Sequence, residues 1–269
     1  MGATDQDRVK ALDTAILEGR FAAVKALCKE RSNNMLGALA SLPSLHWAAR
    51  LGRLNVLQEL INKGARIMVK DNYGNTSLHC ATHEGHLEVV KFLVENKADI
   101  NAKNKFGQTP LYLATLQGHL DVVRFLVENK ADIHAKDKYG RTPLHKASDK
   151  GRLDVVKFLI QNNADINATS DDGRTPLHWA SDKGRLDVVK FLIQNKTDIE
   201  AKDDSGHTPL HWTSAEGHLN VVKFLVENKA DIHAKDNDGQ TPLDIAEDFG
   251  RTSVADYFRS KGPRTSFGI

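Results

Sequence analysis

The sequence has 269 residues, a formal net charge of +2 and two cysteines, Cys28 and Cys80. This charge is too small to indicate nucleic-acid binding, and two cysteines do not form a disulfide framework. Such cysteine usage predicts a reducing, intracellular and cytoplasmic setting, although secretion into a host cell stays open. No apolar run of about 18 residues occurs and the N-terminus lacks the pattern of a secretory signal, so we expect no membrane insertion.

One four-residue motif recurs through most of the chain at a fixed spacing. Thr175-Pro176-Leu177-His178 recurs 33 residues earlier from Thr142 and 33 residues later from Thr208. Glycines keep the same period on both sides of the motif. Those before it are Gly74, Gly107, Gly140, Gly173, Gly206 and Gly239, and those after it are Gly52, Gly85, Gly118, Gly151, Gly184, Gly217 and Gly250. A fixed period in this range is typical of a solenoid.

Each repeat is predicted to contain two short helices. We expect Thr175 to cap the first helix through its hydroxyl group, with Pro176 at the first helical position, where its missing N–H costs nothing. Gly184 is expected to end that helix in a left-handed turn. A second amphipathic run covers residues 186–193, and an extended segment with a tight turn follows it. Because helices this short are marginal alone in water, each repeat is expected to stack on its neighbours.

The two ends of the chain depart from the repeat. The first repeat is degenerate and is predicted as two helices around Gly19. Residues 32–42 are unusually apolar, which indicates a loop tucked against the stack or, as the alternative, a partner contact. The last repeat carries Asp244 where the others carry His, as a capping repeat does. At the C-terminus Phe267-Gly268-Ile269 fits either a disordered end or a ligand for the sheet edge of a partner.

These observations predict a single domain of repeats followed by a short tail. The array is expected to cover residues 1–262, and a mobile C-terminal tail residues 263–269. Its units are placed near residues 5–36, 37–69, 70–102, 103–135, 136–168, 169–201, 202–234 and 235–262.

The unit DDGRTPLHWASDKGRLDVVKFLIQNKTDI resembles an ankyrin repeat in its TPLH helix start, its 33-residue period and its VV-x-x-L core. The resemblance implies an all-α ankyrin-repeat solenoid of about eight repeats, including two terminal caps, with stacked helix-turn-helix units and short β-hairpin loops. It implies a non-catalytic protein–protein interaction scaffold whose partner binds at hairpin tips and at the concave inner-helix face. In similar repeats an asparaginyl hydroxylase modifies the hairpin asparagine that Asn101 and Asn167 match.

The twelve histidines raise a metal-dependent enzyme as an alternative. His79, Cys80, His83 and His86 form the best cluster, because His79 and His83 share one helical face. The repeat already uses His79, and no carboxylate or second cysteine completes the set, so we expect no metal, cofactor or catalytic residue. The helix-start histidines are expected to satisfy buried polar groups in the neighbouring turn. A further alternative is a host-targeted effector or an adaptor subunit that recruits a protein to an enzyme complex.

Partner binding is expected at positions that vary while the scaffold repeats. Tyr73, Phe106 and Tyr139 lie 33 residues apart at one hairpin-tip position, so stacking is expected to place them in one aromatic row. The other residues expected to contact the partner are Lys105, Lys138, Arg141, Asp172 and Arg174 at the tips and Leu116, Asp149 and Asp182 on the inner face. The expected partner is a protein with apolar and acidic groups toward the early repeats and basic groups toward the later ones, bound by a monomer.

Four second helices end in a residue that departs from the family pattern. That pattern places glycine there, as at Gly64, whereas four repeats carry lysine: Lys97, Lys130, Lys196 and Lys229. If these lysines adopt a positive φ, each costs roughly 1 kcal/mol relative to glycine. The alternative is that the asparagine before each lysine, such as Asn96, takes the left-handed turn.

Overall fold

The computed structural model describes residues 5–18, 20, 23 and 44–261, and all regular structure in these ranges is helical. The fifteen helices in the described ranges are α1 (Asp5–Leu17), α2 (Ser44–Arg50), α3 (Leu54–Asn62), α4 (Ser77–Glu84), α5 (Leu87–Glu95), α6 (Pro110–Gln117), α7 (Leu120–Glu128), α8 (Pro143–Lys150), α9 (Leu153–Gln161), α10 (Pro176–Asp182), α11 (Leu186–Gln194), α12 (Pro209–Glu216), α13 (Leu219–Glu227), α14 (Pro242–Asp248) and α15 (Thr252–Lys261). None of these helices is long and apolar enough to cross a membrane.

The described helices belong to two compact units, one up to residue 132 and one from residue 133 onward. In the first unit the inner helices α2, α4 and α6 pack side by side, and the outer helices α3, α5 and α7 each pack behind one of them. In the second unit α8, α10, α12 and α14 are the inner helices and α9, α11, α13 and α15 the outer ones. These stacked helix pairs confirm the all-α repeat fold. The single array over residues 1–262 stays a prediction.

Three sequence predictions lie outside the described residues, so the structure leaves them as predictions. They are the second helix of the first repeat, which is described only at residue 23, the position of the apolar stretch 32–42, and the tail at 263–269.

The inner helices with a Thr-Pro start begin at the residue that the motif predicts, and in α6, α10 and α14 the threonine hydroxyl accepts from an early helical N–H as expected. In α8, Thr142 is the N-cap in an extended conformation and Pro143 is the first helical residue. The backbone N–H of Thr142 donates to Nδ1 of His145 at 3.1 Å. At the other end Gly151 adopts a φ of +67°, a left-handed conformation that has no steric cost for glycine. The predicted start and end of this helix are therefore confirmed.

A row of aliphatic side chains between the inner and outer helices forms the core of each unit. Leu144 on α8 and Val156 and Leu159 on α9 are at most 1% exposed. Burying a side chain of this size contributes about 1.5–3 kcal/mol. These residues return one period later in the next repeat as Leu177, Val189 and Leu192. Each short helix pair therefore buries its apolar face against its neighbours in the unit.

Tight hairpin turns connect each outer helix to the next inner helix. Oδ1 of Asp71 accepts hydrogen bonds from the N–H groups of Tyr73 and Asn75, both at 2.8 Å. The N–H of Lys105 in the next hairpin donates to the carbonyl oxygen of Tyr73 at 2.9 Å. No strand occurs in the described ranges, so the predicted hairpins are turns held by side-chain and cross-repeat hydrogen bonds. These bonds set the tips of adjacent repeats within a unit side by side.

Most outer helices are followed by a residue in a left-handed conformation. Lys97 has a φ of +66°, whereas Asn96 before it has a φ of −88° and donates from its side chain to the carbonyl oxygen of Phe92. The φ values at Lys130, Lys196 and Lys229 are +67°, +62° and +71°. The lysines therefore take the left-handed turn as predicted, and the alternative that assigned it to the asparagines is wrong.

Replacing the four left-handed lysines by glycine is expected to stabilise the protein. Each substitution relieves a backbone conformation that costs a non-glycine residue roughly 1 kcal/mol more than glycine. The quadruple Lys→Gly variant at 97, 130, 196 and 229 should therefore have a raised midpoint in urea unfolding. Asn163→Gly is the matched control, because Asn163 has a φ of +67° and asparagine tolerates it better, so its gain should be smaller. An unchanged or lowered midpoint for the quadruple variant would contradict this explanation.

Candidate functional site

Five histidines at the starts of inner helices are buried links between repeats. Nδ1 of His79 accepts from the N–H of Thr76 at 3.1 Å, which leaves the proton on Nε2. That Nε2 donates to the carbonyl oxygen of Gln108 in the next repeat at 3.0 Å. The same cross-repeat bond is made by His46, His145, His178 and His211. The predicted role of these histidines in the neighbouring turn is confirmed.

Burial also sets the protonation of these groups. It lowers the pKa of all five imidazoles, to about 4 for His79, His145 and His178. Cys80 is 7% exposed, and burial raises the pKa of its thiol to about 12. A general base works best with a pKa near the operating pH, and a reactive cysteine needs a thiolate. These groups therefore suit packing better than catalysis.

The histidine cluster that raised the metal alternative makes contacts between repeats. Nδ1 of His83 lies 3.1 Å from Oε1 of Glu84, and its Nε2 lies 2.8 Å from Nε2 of Gln117. Nε2 of His86 is 2.9 Å from the carbonyl oxygen of Arg50. Among the residues that the structure describes, no group of three or more His, Cys, Asp or Glu is placed to hold a metal ion.

In the first unit the predicted partner residues lie at the tips of adjacent hairpins. Tyr73 is 44% exposed and Phe106 is 39% exposed. Lys105 is exposed next to Phe106, and its N–H is the group that bonds to Tyr73. Leu116, near the end of α6, is half-buried. The two aromatic side chains of this unit are therefore neighbours on an accessible surface.

In the second unit cationic side chains lie over the exposed ring of Tyr139, which is 52% accessible. Nζ of Lys138 is 4.8 Å and Cζ of Arg141 is 4.6 Å from the ring centroid. Arg141 also donates two hydrogen bonds to Oδ2 of the buried Asp137, at 2.9 and 2.7 Å. This pair holds the guanidinium beside Tyr139, so the tip combines an aromatic ring with positive charge.

The two inner-face carboxylates that the sequence places at the partner surface are buried. Asp149 is 5% exposed and Asp182 is 6% exposed. Burial alone would raise the pKa of Asp149, but the hydrogen bond and charge of Lys146, whose Nζ is 2.6 Å away, lower it. Asp182 lies 3.3 Å from Nζ of Lys183 and 3.8 Å from Nη1 of Arg174. Both carboxylates therefore hold cationic side chains in place, and that of Lys183 is exposed.

Sequence reasoning missed a half-buried aromatic cluster in the second unit. The guanidinium carbon of Arg174 lies 3.3 Å from the ring centroid of Trp212 and 5.2 Å from that of Trp179. Nε1 of Trp212 donates to Oδ2 of Asp203 at 2.9 Å. Nε of Arg174 is also 3.3 Å from Asp172, whose side chain is 54% exposed. Asp203 and Arg174 together hold Trp212 in one orientation.

Two nearly identical segments of the sequence differ at one position of this cluster. Residues 141–162 and 174–195 are identical except that Lys146 in the first segment corresponds to Trp179 in the second. Both segments form the same helix pair with the same cap, so the fold accepts either residue at this position. The tryptophan is therefore a variation of the surface and is not required by the core.

The two tryptophans differ in the acceptor available to the indole N–H. Asp203 accepts from Trp212, whereas the same repeat position in the preceding hairpin holds Ser170. Nε1 of Trp179 is buried without a hydrogen-bond partner. The hydroxyl of Ser170 donates to Asp172 instead. An unsatisfied buried donor costs about 1–3 kcal/mol, a cost that the indole of Trp212 does not carry.

Asn101 and Asn167 use their side-chain oxygens to connect adjacent repeats. Oδ1 of Asn101 accepts from the N–H of Asp132 at 2.8 Å. Oδ1 of Asn167 accepts from the N–H of Asp198 at 3.1 Å and from the hydroxyl of Thr197 at 2.8 Å. Both asparagines are exposed, and their hydroxylation stays a prediction.

Most of the chain matches the model of one known protein family. Four overlapping segments match the family model described as ankyrin repeats (3 copies). They are residues 36–104, 101–170, 136–203 and 195–266. No curated protein matches the sequence.

Acid is expected to destabilise the protein through its buried histidines. Burial lowers the pKa of His79, His145 and His178 from an ordinary 6.5 to about 4 in the folded state. A lowered folded-state pKa means that the stabilisation is complete above about pH 6.5 and is lost as the pH falls toward 4. Each such histidine contributes up to about 3 kcal/mol over this range. The urea midpoint should fall across it, and an NMR titration that places these imidazoles near pH 6.5 would contradict the explanation.

Ser170→Asp is expected to raise the thermal midpoint. The new carboxylate takes the place that Asp203 has in the next repeat, so it can accept from Nε1 of Trp179 and pair with Arg174. Satisfying the buried donor should add about 1 kcal/mol to the free energy of unfolding. Ser170→Ala is the matched control, because it supplies no acceptor and should give no gain. Equal midpoints for the Asp and Ala variants would rule out this reading of Trp179.

Proposed function

Because the chain belongs to the ankyrin-repeat family, we propose that it is a non-catalytic scaffold that binds a partner protein at its hairpin tips and inner-helix face. Ankyrin repeats are generally protein–protein interaction modules. The observation that carries the proposal for this chain is the exposure of three aromatic side chains at one tip position, Tyr73, Phe106 and Tyr139.

The turns that carry the exposed aromatic side chains form equally well without an aromatic residue. In the second unit the tip position of Tyr139 is occupied in later repeats by Asp172, Ser205 and Asp238. The backbone N–H at position 139, 205 or 238 bonds to the aspartate two residues earlier in each case. Exposed aromatic residues are enriched among those that dominate binding energy. The aromatic tips therefore support contact with apolar groups of a partner.

The charges around the tips indicate the polar chemistry of that partner. Lys105 is exposed beside the aromatic tips of the first unit, and Lys138 and Arg141 lie over the ring of Tyr139. Acidic side chains of a partner would find complementary charge at these tips. One repeat later the exposed carboxylate of Asp172 lies 3.3 Å from Nε of Arg174, so this tip offers a partner both signs of charge.

The ends of the inner helices supply the second part of the proposed surface. Leu116 offers a half-buried apolar side chain in the first unit. In the second unit the buried Asp149 and Asp182 lie 3.6 and 3.3 Å from Nζ of Lys150 and Lys183, both of which are exposed. We expect the lysine side chains, held by these carboxylates, to reach the partner.

Replacing Tyr73, Phe106 and Tyr139 together by serine is expected to abolish partner binding. The loss follows because three aromatic contacts disappear, while Ser205 at the same position shows that serine fits the turn. Affinity capture from the native cell lysate with mass spectrometry identifies the partner, and calorimetry then compares wild type and variant. Helicity and the thermal midpoint should be nearly unchanged. Unaltered affinity would move the site to the inner face around Leu116.

The captured partner also distinguishes the two candidate roles. An enzyme subunit that retains its activity when bound would favour an adaptor that recruits a protein to an enzyme complex. A partner without enzymatic activity would favour a simple scaffold.

A further inference from the structure

The last two repeats of the second unit are strongly acidic. Residues 137–169 contain six Lys or Arg and four Asp or Glu, whereas residues 203–261 contain six Lys or Arg and eleven Asp or Glu. The inner helices α12 and α14 concentrate this difference, because together they carry four acidic residues and no Lys or Arg. A surface of this charge attracts basic groups and repels nucleic acids and anionic lipids.

Phe249, directly after α14, is 59% exposed, more than any other large apolar residue in the described part of the chain. Within that part no further repeat covers this edge. A Cβ atom added at Gly250 would meet nothing within 4 Å, whereas one added at Gly217 would lie 2.9 Å from Arg251. Earlier repeats carry non-aromatic residues at the position of Phe249, namely Leu51, Glu84, Gln117, Lys150, Lys183 and Glu216. The fold therefore does not require an aromatic side chain there.

Trp212 and Glu216 share one side of α12, one repeat before Phe249. Trp212 is held by its hydrogen bond to Asp203 and by the stacked Arg174, so it offers a partner a fixed aromatic surface. Glu216 is exposed, and no ion pair with a described side chain neutralises its charge. An aromatic anchor with a nearby unpaired carboxylate is suited to a basic, partly apolar ligand.

Asp248 adds a second carboxylate next to Phe249. It is exposed, and its Oδ2 accepts a hydrogen bond from Nε2 of the neutral Gln240 at 2.7 Å. That bond orients the carboxylate without neutralising it. Asp248 therefore places a negative charge next to Phe249, and Glu216 supplies a second one at the same repeat position on α12. Arg251 lies near Glu216, and its Nε is bonded to the carbonyl oxygen of Ala215 at 2.7 Å.

We propose that Trp212, Glu216, Asp248 and Phe249 form an acidic aromatic face that binds a basic amphipathic segment of a partner protein. Apolar side chains of the segment pack on Trp212 and Phe249, and its Lys or Arg side chains pair with Glu216 and Asp248. The inference rests on the proposed protein-binding function and adds a surface that the aromatic tips do not include.

A synthetic helical peptide of leucine and lysine, with leucine at every third or fourth position, is the probe for this face. Isothermal titration calorimetry with the full chain is expected to detect binding of this peptide, weakening as salt is raised because part of the contact is ionic. The matched peptide with glutamate in place of lysine is expected not to bind. Absence of binding by the leucine–lysine peptide, or equal affinity for the two peptides, would overturn the inference.

Two variants locate the peptide on the acidic aromatic face. Phe249→Gln and Glu216→Lys are each expected to weaken its affinity about tenfold, the loss typical of a hot-spot side chain. The chain already carries Gln117 and Lys150 at this repeat position, so both variants should keep their helicity. Glu128→Lys, on the exposed side of the outer helix α7, makes the same charge change outside both proposed surfaces, so it is the matched control and should change the affinity by less than about twofold. Unchanged affinity in both face variants would contradict the proposal.

The experiments separate this inference from the proposed function. If the serine triple variant loses its captured partner and the leucine–lysine peptide does not bind, the proposed function is supported and the acidic aromatic face is wrong. If the peptide binds and the triple variant keeps its partner, the face is supported and the tip surface is wrong. Sedimentation equilibrium tests a further occupant: a wild-type dimer that Phe249→Gln dissociates would assign the face to a second copy of this chain and overturn the inference.

Discussion

The bond from a buried imidazole to the carbonyl group of the next repeat is the interaction on which the stacking depends. The described helices after α1 have seven to ten residues and are too short to persist alone in water. His145 closes the start of its own helix through Thr142 and bonds to the carbonyl oxygen of Arg174 at 3.0 Å. One side chain thus couples a helix cap to the position of the next hairpin. Only the neutral imidazole does both, because one nitrogen must accept while the other donates.

The last repeat shows what changes when no described repeat follows. Asp244 replaces the histidine and keeps the capping box, because Oδ2 accepts from the N–H of Thr241 at 2.8 Å. This hydrogen bond lowers the pKa of Asp244 and keeps the carboxylate ionised. An ionised carboxylate cannot donate to a carbonyl group, so Asp244 provides the cap without the link to a further repeat. Its exposure makes the charge tolerable, whereas the buried histidines must be neutral.

Features that depend on residues close in the chain are predictable from the sequence, and those that depend on pairs of variable positions are not. The helix starts and ends and the left-handed Lys97 follow from local motifs. The ion pair of Asp149 with Lys146 does not, because the same position holds Trp179 in the next repeat. Trp179 and Trp212 share one repeat position, yet only Trp212 has an acceptor, which lies in the hairpin before it. The aromatic tips are evident from the period, but the acidic aromatic face requires comparing residues across repeats.

Stability and recognition are carried by different positions of this repeat, so they can change separately. Lys146 and Trp179 occupy one position in otherwise identical segments, and His145 and His178 make their cross-repeat bonds at 3.0 Å in both. Because repeat stability depends on each unit and its nearest neighbours, such a substitution leaves the core and caps intact. A substitution at this position lowers the free energy of unfolding where the new side chain buries a polar atom without a partner, as at Nε1 of Trp179. Phe249 has no polar side-chain atom, so its exposure adds binding surface without that cost.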